Sequence, residues 1–352
     1  MSGKNDGPLN TEAILHLLRL SDVPYEEVTW RWRGRLPAGK LVILEGDPGT
    51  GKSWLSLAIA TAVTRGQPLP GDDGEFEPQN VLLLTAEDGL ADTVRPRIED
   101  MGGDLRRVFV AALVDEADGS ERFPKLPVDL PALTAALDEA ELGEGGYGLV
   151  IIDPLNAYLG GVDGNRDIDV RSVLGPLASL AEVYGVPIVG IRHLTKGGRD
   201  RTIYRGAGSI AYTAAARVVL LVGINPDDET ERVVVPVKNN LAALTPGVAF
   251  DLEGRFTWRG ISNVTADQLL APDAQPEERG TRAEAIEFLK DALANGPRPA
   301  AELQAQAQGL GIAPRTLKRA KADLNVISTS IYEAGVRGAT AWVWSLPGAT
   351  AV

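Results

Sequence analysis

The chain has 352 residues, of which 44% are hydrophobic and 24% charged, and its formal net charge is −13. It has no cysteine and two histidines, which excludes disulfide bonds, cysteine-ligated zinc and a histidine-rich metal site and is typical of a cytoplasmic protein. No apolar run approaches the roughly 20 residues that cross a bilayer, so no membrane partner is expected, and the acidic balance argues against a surface coated with nucleic acid.

Residues 1–36 form a lead segment with one short amphipathic helix, which we expect to pack on the core or on a neighbouring subunit. Apolar runs that predict strands then alternate with predicted helices. The strands are Leu41–Glu45, Asn80–Ala86, Val108–Ala112, Leu149–Asp153, Pro187–Arg192 and Val218–Val222, and the helices lie near 51–65, 89–101, 130–141 and 168–184. This alternation predicts an α/β core over residues 37–261, with a mainly parallel sheet between helices. Two later runs, Arg232–Val237 and Val248–Arg259, predict antiparallel strands at the sheet edge.

A phosphate-binding loop follows the first predicted strand. Residues 46–53 read Gly-Asp-Pro-Gly-Thr-Gly-Lys-Ser, the pattern G-x-x-x-x-G-K-S, and a helix-forming stretch comes next. The glycines let backbone N–H groups point at phosphate oxygens, while Lys52 reaches the β- and γ-phosphates and the Ser53 hydroxyl ligates Mg²⁺. The motif predicts a nucleoside triphosphate, taken as ATP, with Mg²⁺. The predicted binding residues here are Gly46, Asp47, Pro48, Gly49, Thr50, Gly51, Lys52, Ser53 and Trp54.

Polar residues at the ends of other strands complete the predicted site. Asp153 ends an apolar strand and is predicted to hold Mg²⁺ with Ser53, directly or through water. The base that activates the attacking water is predicted to be Glu87, which follows the strand next to the phosphate-loop strand, with Asp88 as the alternative. His193 ends another strand and is a candidate contact for the γ-phosphate; an ordinary hydrogen-bonded histidine is the alternative.

The C-terminal part is predicted to be a separate small domain. Residues 262–280 are largely polar and predict a linker, with a surface loop as the alternative. Residues 281–352 predict a winged helix-turn-helix, with three helices and a hairpin. These elements are Thr281–Leu293, Pro299–Gln308, Ala313–Lys321, Val326–Tyr332 and Thr340–Ser345. Arg315, Lys318 and Arg319 share one face of the third helix and predict DNA contacts, although such a domain can also bind protein.

Four segments occur in an order that carries a family resemblance: Glu87-Asp88, Asp153-Pro154-Leu155, the sequence RHLTKG at 192–197 and YRGAGS at 204–209. The chain resembles the RepA-type branch of RecA-fold hexameric ATPases, found in plasmids, phages and integrated elements. The best-known members are ring-shaped replicative DNA helicases. The resemblance covers roughly residues 25–260. It implies a RecA-like P-loop NTPase core, a homo-oligomer that is a hexamer, and single-stranded DNA in the ring centre.

The resemblance also implies roles at matching positions. The implied catalytic residues are Lys52, Glu87, His193, Arg205 and Lys238. Arg205 would be an arginine finger that reaches the nucleotide of the next subunit, with Arg217 as its rival, and Lys238 would also act in trans. Arg97 would contact the nucleotide base.

A basic segment covers residues 192–205, and its loop Gly197–Tyr204 lies between the implied sensor and the implied finger. In the RecA fold this region faces the ring centre, so Lys196, Arg199 and Arg201 are expected to contact DNA phosphates. No aromatic ladder accompanies them, so base stacking is not indicated.

Three functions are compatible with these features. The first is an ATP-driven DNA translocase, namely a ring-shaped replicative helicase. The second is an ATP-switched initiator or assembly factor that binds DNA without unwinding it. The third, a RecA-like recombinase, is least favoured because no N-terminal polymerisation segment is found. Duplex unwinding separates the first two functions.

Overall fold

The computed structural model describes residues 17–116, 118–141, 146–160, 167–194, 207–270, 276–294, 296–312, 314–331 and 341–347. Two compact units divide the chain between Leu270 and Ala271, a boundary inside the range that the sequence predicts as linker. No helix in the described ranges is long and apolar enough to cross a membrane.

The first unit is built from strands β1–β13 and helices α1–α6. The strands are β1 Trp30–Trp32, β2 Leu36–Pro37, β3 Leu41–Gly46, β4 Asn80–Thr85, β5 Val108–Val110, β6 Val114–Asp115, β7 Glu121–Arg122, β8 Tyr147–Asp153, β9 Ile188–His193, β10 Val218–Asn225, β11 Asp228–Asn239, β12 Gly247–Asp251 and β13 Thr257–Ser262. The helices are α1 Lys52–Arg65, α2 Arg95–Asp100, α3 Leu130–Glu141, α4 Asp167–Tyr184, α5 Ala207–Ala215 and α6 Ala266–Leu269. Short helical turns cover Leu20–Asp22, Leu90–Val94, Leu105–Arg107 and Leu155–Tyr158.

One nine-stranded sheet forms the centre of this unit, with the strand order β13-β12-β11-β10-β3-β9-β8-β4-β5. The strands from β10 to β5 are parallel, whereas β11, β12 and β13 are antiparallel additions at one edge. The predicted α/β fold with a mainly parallel sheet is therefore confirmed, and this architecture fits a RecA-like core.

Helices cover both faces of the sheet, which explains the continuous apolar strands. In β3, Val42 and Leu44 pack with α1 and α2, while Leu41 and Ile43 pack with α3, α4 and α5. A parallel strand that is buried on both faces needs apolar residues at every position. The glutamate that ends this run, Glu45, is the exception, and it is buried as well.

The run Val248–Arg259 was predicted as one strand, and that prediction is wrong. It forms two antiparallel strands, β12 and β13, joined by a turn in which Gly254 has a φ of 74°. The hairpin reaches the phosphate loop, because a Cβ added to Gly51 would lie 3.0 Å from Leu252 Cδ1 and 3.3 Å from Phe250 Cε2.

The range predicted as linker contains helix. Thr265 and Gln268 form a capping box that starts α6, a short helix that packs on β10 through Leu269 and Gly223. A capping box satisfies two backbone donors at once, so even a polar stretch can begin a helix. The next helix begins at Pro276, and residues 271–275 lie outside the described ranges.

The second unit contains helices α7 Pro276–Leu293, α8 Ala300–Gly309 and α9 Pro314–Asp323, and strands β14 Arg298–Pro299, β15 Ile327–Ile331 and β16 Ala341–Ser345. The strands form an antiparallel sheet in the order β14-β16-β15. The sequence does not predict β14, which is only two residues long. The core of this unit includes Leu289, Leu303, Leu317 and Trp344, and the Lys321 ammonium lies over the Trp344 ring.

Candidate active site

The register of the central sheet brings the phosphate loop, Glu87, Asp153 and His193 to one edge. Gly46 in β3 lies opposite His193 in β9, and Thr85 in β4 lies opposite Asp153 in β8. Glu87 follows the end of β4 by two residues. The prediction that its strand lies next to the phosphate-loop strand is wrong, because β9 and β8 separate β4 from β3 in the sheet. The carboxyl ends of parallel strands meet at one edge of a sheet, where α/β proteins bind ligands. The phosphate loop and the residues predicted around it therefore share one side of the molecule.

The phosphate loop connects β3 to α1 in a conformation that depends on glycine. Gly49 and Gly51 have φ values of 79° and 89°, in the left-handed region that other residues rarely adopt. Gly46 is fixed by space, since an added Cβ would lie 2.3 Å from the backbone oxygen of Val222 in β10. The loop is therefore packed against a neighbouring strand and cannot shift outward to accept a side chain.

Lys52, the first residue of α1, is held inside this loop. Its ammonium donates hydrogen bonds to the carbonyl oxygens of Gly46 at 3.0 Å and Asp47 at 2.8 Å. Burial lowers the pKa of Lys52, and the nearby carboxylates of Asp153, Asp47 and Glu87 oppose that shift. A cation held at a helix N-terminus among backbone amides is suited to phosphate oxygens.

Asp153 and Ser53 form the oxygen pair that the sequence predicts for Mg²⁺. Burial raises the pKa of Asp153; the nearby Ser53 hydroxyl opposes that shift, and the charges of Asp88 and Glu87 reinforce it. The ionised form therefore gains from a nearby cation.

These oxygens fit Mg²⁺ without a complete protein cage. Within the described ranges, no group of three or more His, Cys, Asp or Glu residues is placed to hold a metal ion. Mg²⁺ usually binds through one or two protein oxygens, substrate phosphates and water, so the Ser53 hydroxyl and the Asp153 carboxylate suffice.

Glu87 and Asp88, the two candidate bases, have different partners. Arg97 Nη1 lies 2.9 Å from Asp88 Oδ2, and the Arg97 guanidinium stacks over the Trp54 ring at 4.5 Å. Glu87 is 65% exposed, and its Oε2 lies 3.8 Å from His193 Nε2. Asp88 is thus occupied by an ion pair, whereas Glu87 faces solvent beside His193. The geometry favours Glu87 as the base.

Lys238 lies away from this edge. It is inside β11 opposite Val219, near the amino end of β10. Its ammonium donates to the backbone oxygens of Thr213 and Ala216, the latter at 2.8 Å, and so caps the carboxyl end of α5. Arg217, the rival finger, is exposed at the start of β10. The structure does not bring either residue to the phosphate loop of its own chain.

Several predicted residues lie outside what the structure describes. Lys196, Arg199, Arg201 and Arg205 fall in the undescribed range 195–206. Arg315 and Arg319 belong to α9, but their side chains are not described, whereas Lys318 on the same helix is exposed.

The first arginine of the basic segment 192–205 is buried and is not part of an exposed basic surface. Arg192 is 3% exposed, and its guanidinium lies over the Tyr212 ring at 4.4 Å and 3.7 Å from Glu45 Oε2. The Tyr212 hydroxyl donates to Asn156 Oδ1 at 2.8 Å. Sequence reasoning missed this group. The available signal was a charged residue at the end of each of two apolar strands, next to Gly46 and next to His193.

Comparison with known proteins identifies the family of this chain. Residues 9–199 match the family described as AAA domain. The replicative DNA helicase DnaB of Synechocystis sp. (strain ATCC 27184 / PCC 6803 / Kazusa) is 26% identical over 178 residues, which cover 48% of this chain and 20% of that protein. The chain thus aligns with about a fifth of that relative's length. The family match over residues 9–199 covers more than half of the 352 residues and includes the phosphate loop. The chain therefore belongs to the AAA domain family and carries an ATPase core.

Proposed function

We propose that this chain hydrolyses ATP to drive movement along DNA, as a ring-shaped replicative helicase. The observation that carries the proposal is the meeting of the phosphate loop, Asp153, Glu87 and His193 at one sheet edge, where Glu87 Oε2 and His193 Nε2 are 3.8 Å apart. The DNA part is supported by the similarity to a protein named replicative DNA helicase.

The residues at this edge divide the chemistry of hydrolysis. Lys52 and the loop amides hold the β- and γ-phosphates, and Ser53 with Asp153 holds Mg²⁺, which when bound neutralises charge on the phosphate oxygens. Glu87 accepts a proton from the attacking water, since Asp88 is engaged by Arg97. His193, beside Glu87, responds to the presence of the γ-phosphate.

Arg97 and Trp54 supply a place for the nucleotide base. Trp54 lies in the first turn of α1, and the Arg97 guanidinium is stacked on its ring. A planar guanidinium that is already ordered by a ring and by Asp88 loses little freedom when it also contacts a base. This stacking supports the base-contacting role that the resemblance implies for Arg97.

The neighbouring subunit completes the site in this proposal. Arg205 of one subunit stabilises the charge on the γ-phosphate bound by the next, an effect worth roughly 10³–10⁵ in rate. A hexamer places Lys196, Arg199 and Arg201 around a central channel that holds single-stranded DNA. Lys238 is assigned to α5 capping instead of a role in trans, because its ammonium already has two carbonyl partners.

A second function, an ATP-switched initiator that does not unwind DNA, is favoured by the C-terminal unit. Its order of helices and strands, with the sheet order β14-β16-β15, is that expected of a winged helix-turn-helix. We propose that α9 contacts duplex DNA through Arg315, Lys318 and Arg319. In an initiator this unit would be the main DNA contact.

The ATPase rate with and without single-stranded DNA, at two salt concentrations, tests the proposal. Strong stimulation that weakens with salt is expected of a motor that tracks a strand through phosphate contacts. Lys52→Ala serves as the control, and its rate should be near background with or without DNA. An unstimulated rate in the unaltered chain would contradict the motor and favour the initiator, and a fork-unwinding assay would then be expected to show no displacement.

A further inference from the structure

Four side chains beneath the candidate site form a connected group that no catalytic role explains. The group consists of the buried residues Glu45, Arg192 and Tyr212 and the exposed Asn156, and we call it the relay. Glu45 and Arg192 face each other across the β3–β9 pair. Each member except Tyr212 lies within three residues of a predicted site residue, namely Gly46, His193 or Asp153. The relay therefore joins the phosphate loop, the sensor strand and the segment after Asp153.

Two contacts within the relay involve the charge of Arg192. Glu45 Oε2 and Arg192 Nη1 are 3.7 Å apart, and within the described residues neither atom has a hydrogen-bond partner. Burial raises the pKa of Glu45, and the charge of Arg192 opposes that shift. Charges in a low-dielectric interior interact strongly, so a small displacement of one displaces the other.

Tyr212 connects Arg192 to helix α5. It belongs to α5 and is almost completely buried, with the Arg192 guanidinium 4.4 Å above its ring. Its hydroxyl donates to Asn156 Oδ1 at 2.8 Å. In sequence, α5 begins at Ala207, directly after the range in which DNA contacts are predicted. A change at His193 thus has a mechanical route through Arg192 to this helix.

We propose that Tyr212 and Asn156 are positioning residues that couple the nucleotide bound at the phosphate loop to the affinity of the protein for single-stranded DNA. The proposal rests on the proposed function. When the γ-phosphate arrives or leaves, the end of β9 shifts at His193 and Arg192 moves with it. The Tyr212 ring follows Arg192, and the hydrogen bond from its hydroxyl to Asn156 sets the position that α5 takes.

The dissociation constant for a fluorescent oligo-dT, measured by anisotropy, tests this coupling. It is determined for the full-length protein without nucleotide and with Mg²⁺ and a non-hydrolysable ATP analogue. We expect the analogue to change Kd by at least about fivefold in the unaltered chain, as in other coupled sites. Tyr212→Phe keeps the ring under Arg192 but loses the hydroxyl, and Asn156→Ala loses the acceptor. Each should reduce the change several-fold, and a fivefold change to about twofold or less, since one hydrogen bond contributes about 1 kcal/mol.

Two controls separate coupling from stability. Asn156→Asp keeps an oxygen acceptor and should retain the nucleotide effect. Tyr184→Phe removes another tyrosine hydroxyl, which donates to the Asp138 carboxylate on α3, and should behave like the unaltered chain. Because Asn156 is exposed, its variants are expected to fold even if Tyr212→Phe does not.

The outcomes distinguish the inference from the function on which it rests. If Tyr212→Phe and Asn156→Ala keep the full nucleotide effect, or if Asn156→Asp or Tyr184→Phe loses it equally, the relay has no coupling role. An unaltered chain that binds oligo-dT with stimulated ATPase but shows no nucleotide effect on Kd also overturns the inference alone. An unaltered chain that neither binds oligo-dT nor is stimulated by it overturns the proposed function and the inference together.

Discussion

At the residue scale, the two adjacent carboxylates after β4 have different neighbours, and this difference predicts different kinetics. Glu87→Gln should lower kcat by about 10²–10⁴, because a general base is lost while the phosphate loop is unchanged. ATP binding, measured by titration calorimetry, should stay close to that of the unaltered chain. Asp88→Asn is the matched control; it breaks the ion pair with Arg97 and should raise KM for ATP more than it lowers kcat. A kcat loss confined to Asp88→Asn would make Asp88 the base.

The partly buried carboxylate of Asp153 predicts opposite effects on stability and activity. Its pKa is raised chiefly by burial, so without nucleotide the folded state disfavours the ionised form. Asp153→Asn should raise the unfolding temperature at pH 7 by a few degrees, since about 1 kcal/mol shifts Tm by roughly 2–4 °C. It should also abolish Mg²⁺-dependent hydrolysis.

The difference in unfolding temperature between Asp153→Asn and the unaltered chain depends on pH, and the raised pKa of Asp153 gives the sign of that dependence. An acid whose pKa is raised on folding makes folding less favourable as pH rises from its ordinary pKa, about 3.9, through the raised value. The advantage of Asp153→Asn should therefore be absent below that range and complete above it. Thermal unfolding at several pH values without nucleotide measures it, and a lower Tm for Asp153→Asn at pH 7 would contradict the assignment.

At the element scale, the carboxyl end of α5 is capped by Lys238 of β11. Lys238→Met keeps most of the apolar stem but loses two hydrogen bonds at the carboxyl end of α5. We expect a loss of about 1–2 kcal/mol in the free energy of unfolding, measured by denaturant titration. Lys40→Met is the control, because Lys40 makes an ion pair with the exposed Glu182, and such pairs contribute little. Unchanged stability with lost hydrolysis in Lys238→Met would instead support a role in trans.

The elements differ in how well the sequence predicts them. The parallel strands follow from continuous apolar runs, and the meeting of Asp153 and His193 follows from the rule that carboxyl ends of strands share an edge. The hairpin turn at Gly254 was missed because the residues on both sides of it favour strands. The pairing of Glu45 with Arg192 depends on which strands become neighbours in the sheet, and no local sequence pattern predicts those neighbours.

At the scale of the whole molecule, the resemblance predicts that each site is shared between subunits. Arg205→Ala should bind ATP almost normally but hydrolyse it roughly 10³-fold more slowly. Mixing it with Lys52→Ala should restore part of the ATPase rate, because some interfaces then pair an intact phosphate loop with an intact finger. Each variant mixed with itself is the control. No recovery in the mixture, with both variants still assembling by light scattering, would contradict a finger in trans.

The stacking of Arg97 on Trp54 also has an optical consequence. Indole emission depends on the charges near the ring, and here a guanidinium lies 4.5 Å from its centre. Trp54 immediately follows Ser53, so a triphosphate that enters the loop alters the field at this ring. Among the six tryptophans of the chain, Trp32 and Trp344 are buried in the cores of the two units. The protein therefore carries its own spectroscopic label for nucleotide occupancy, and Trp54→Phe should remove that signal without an added dye.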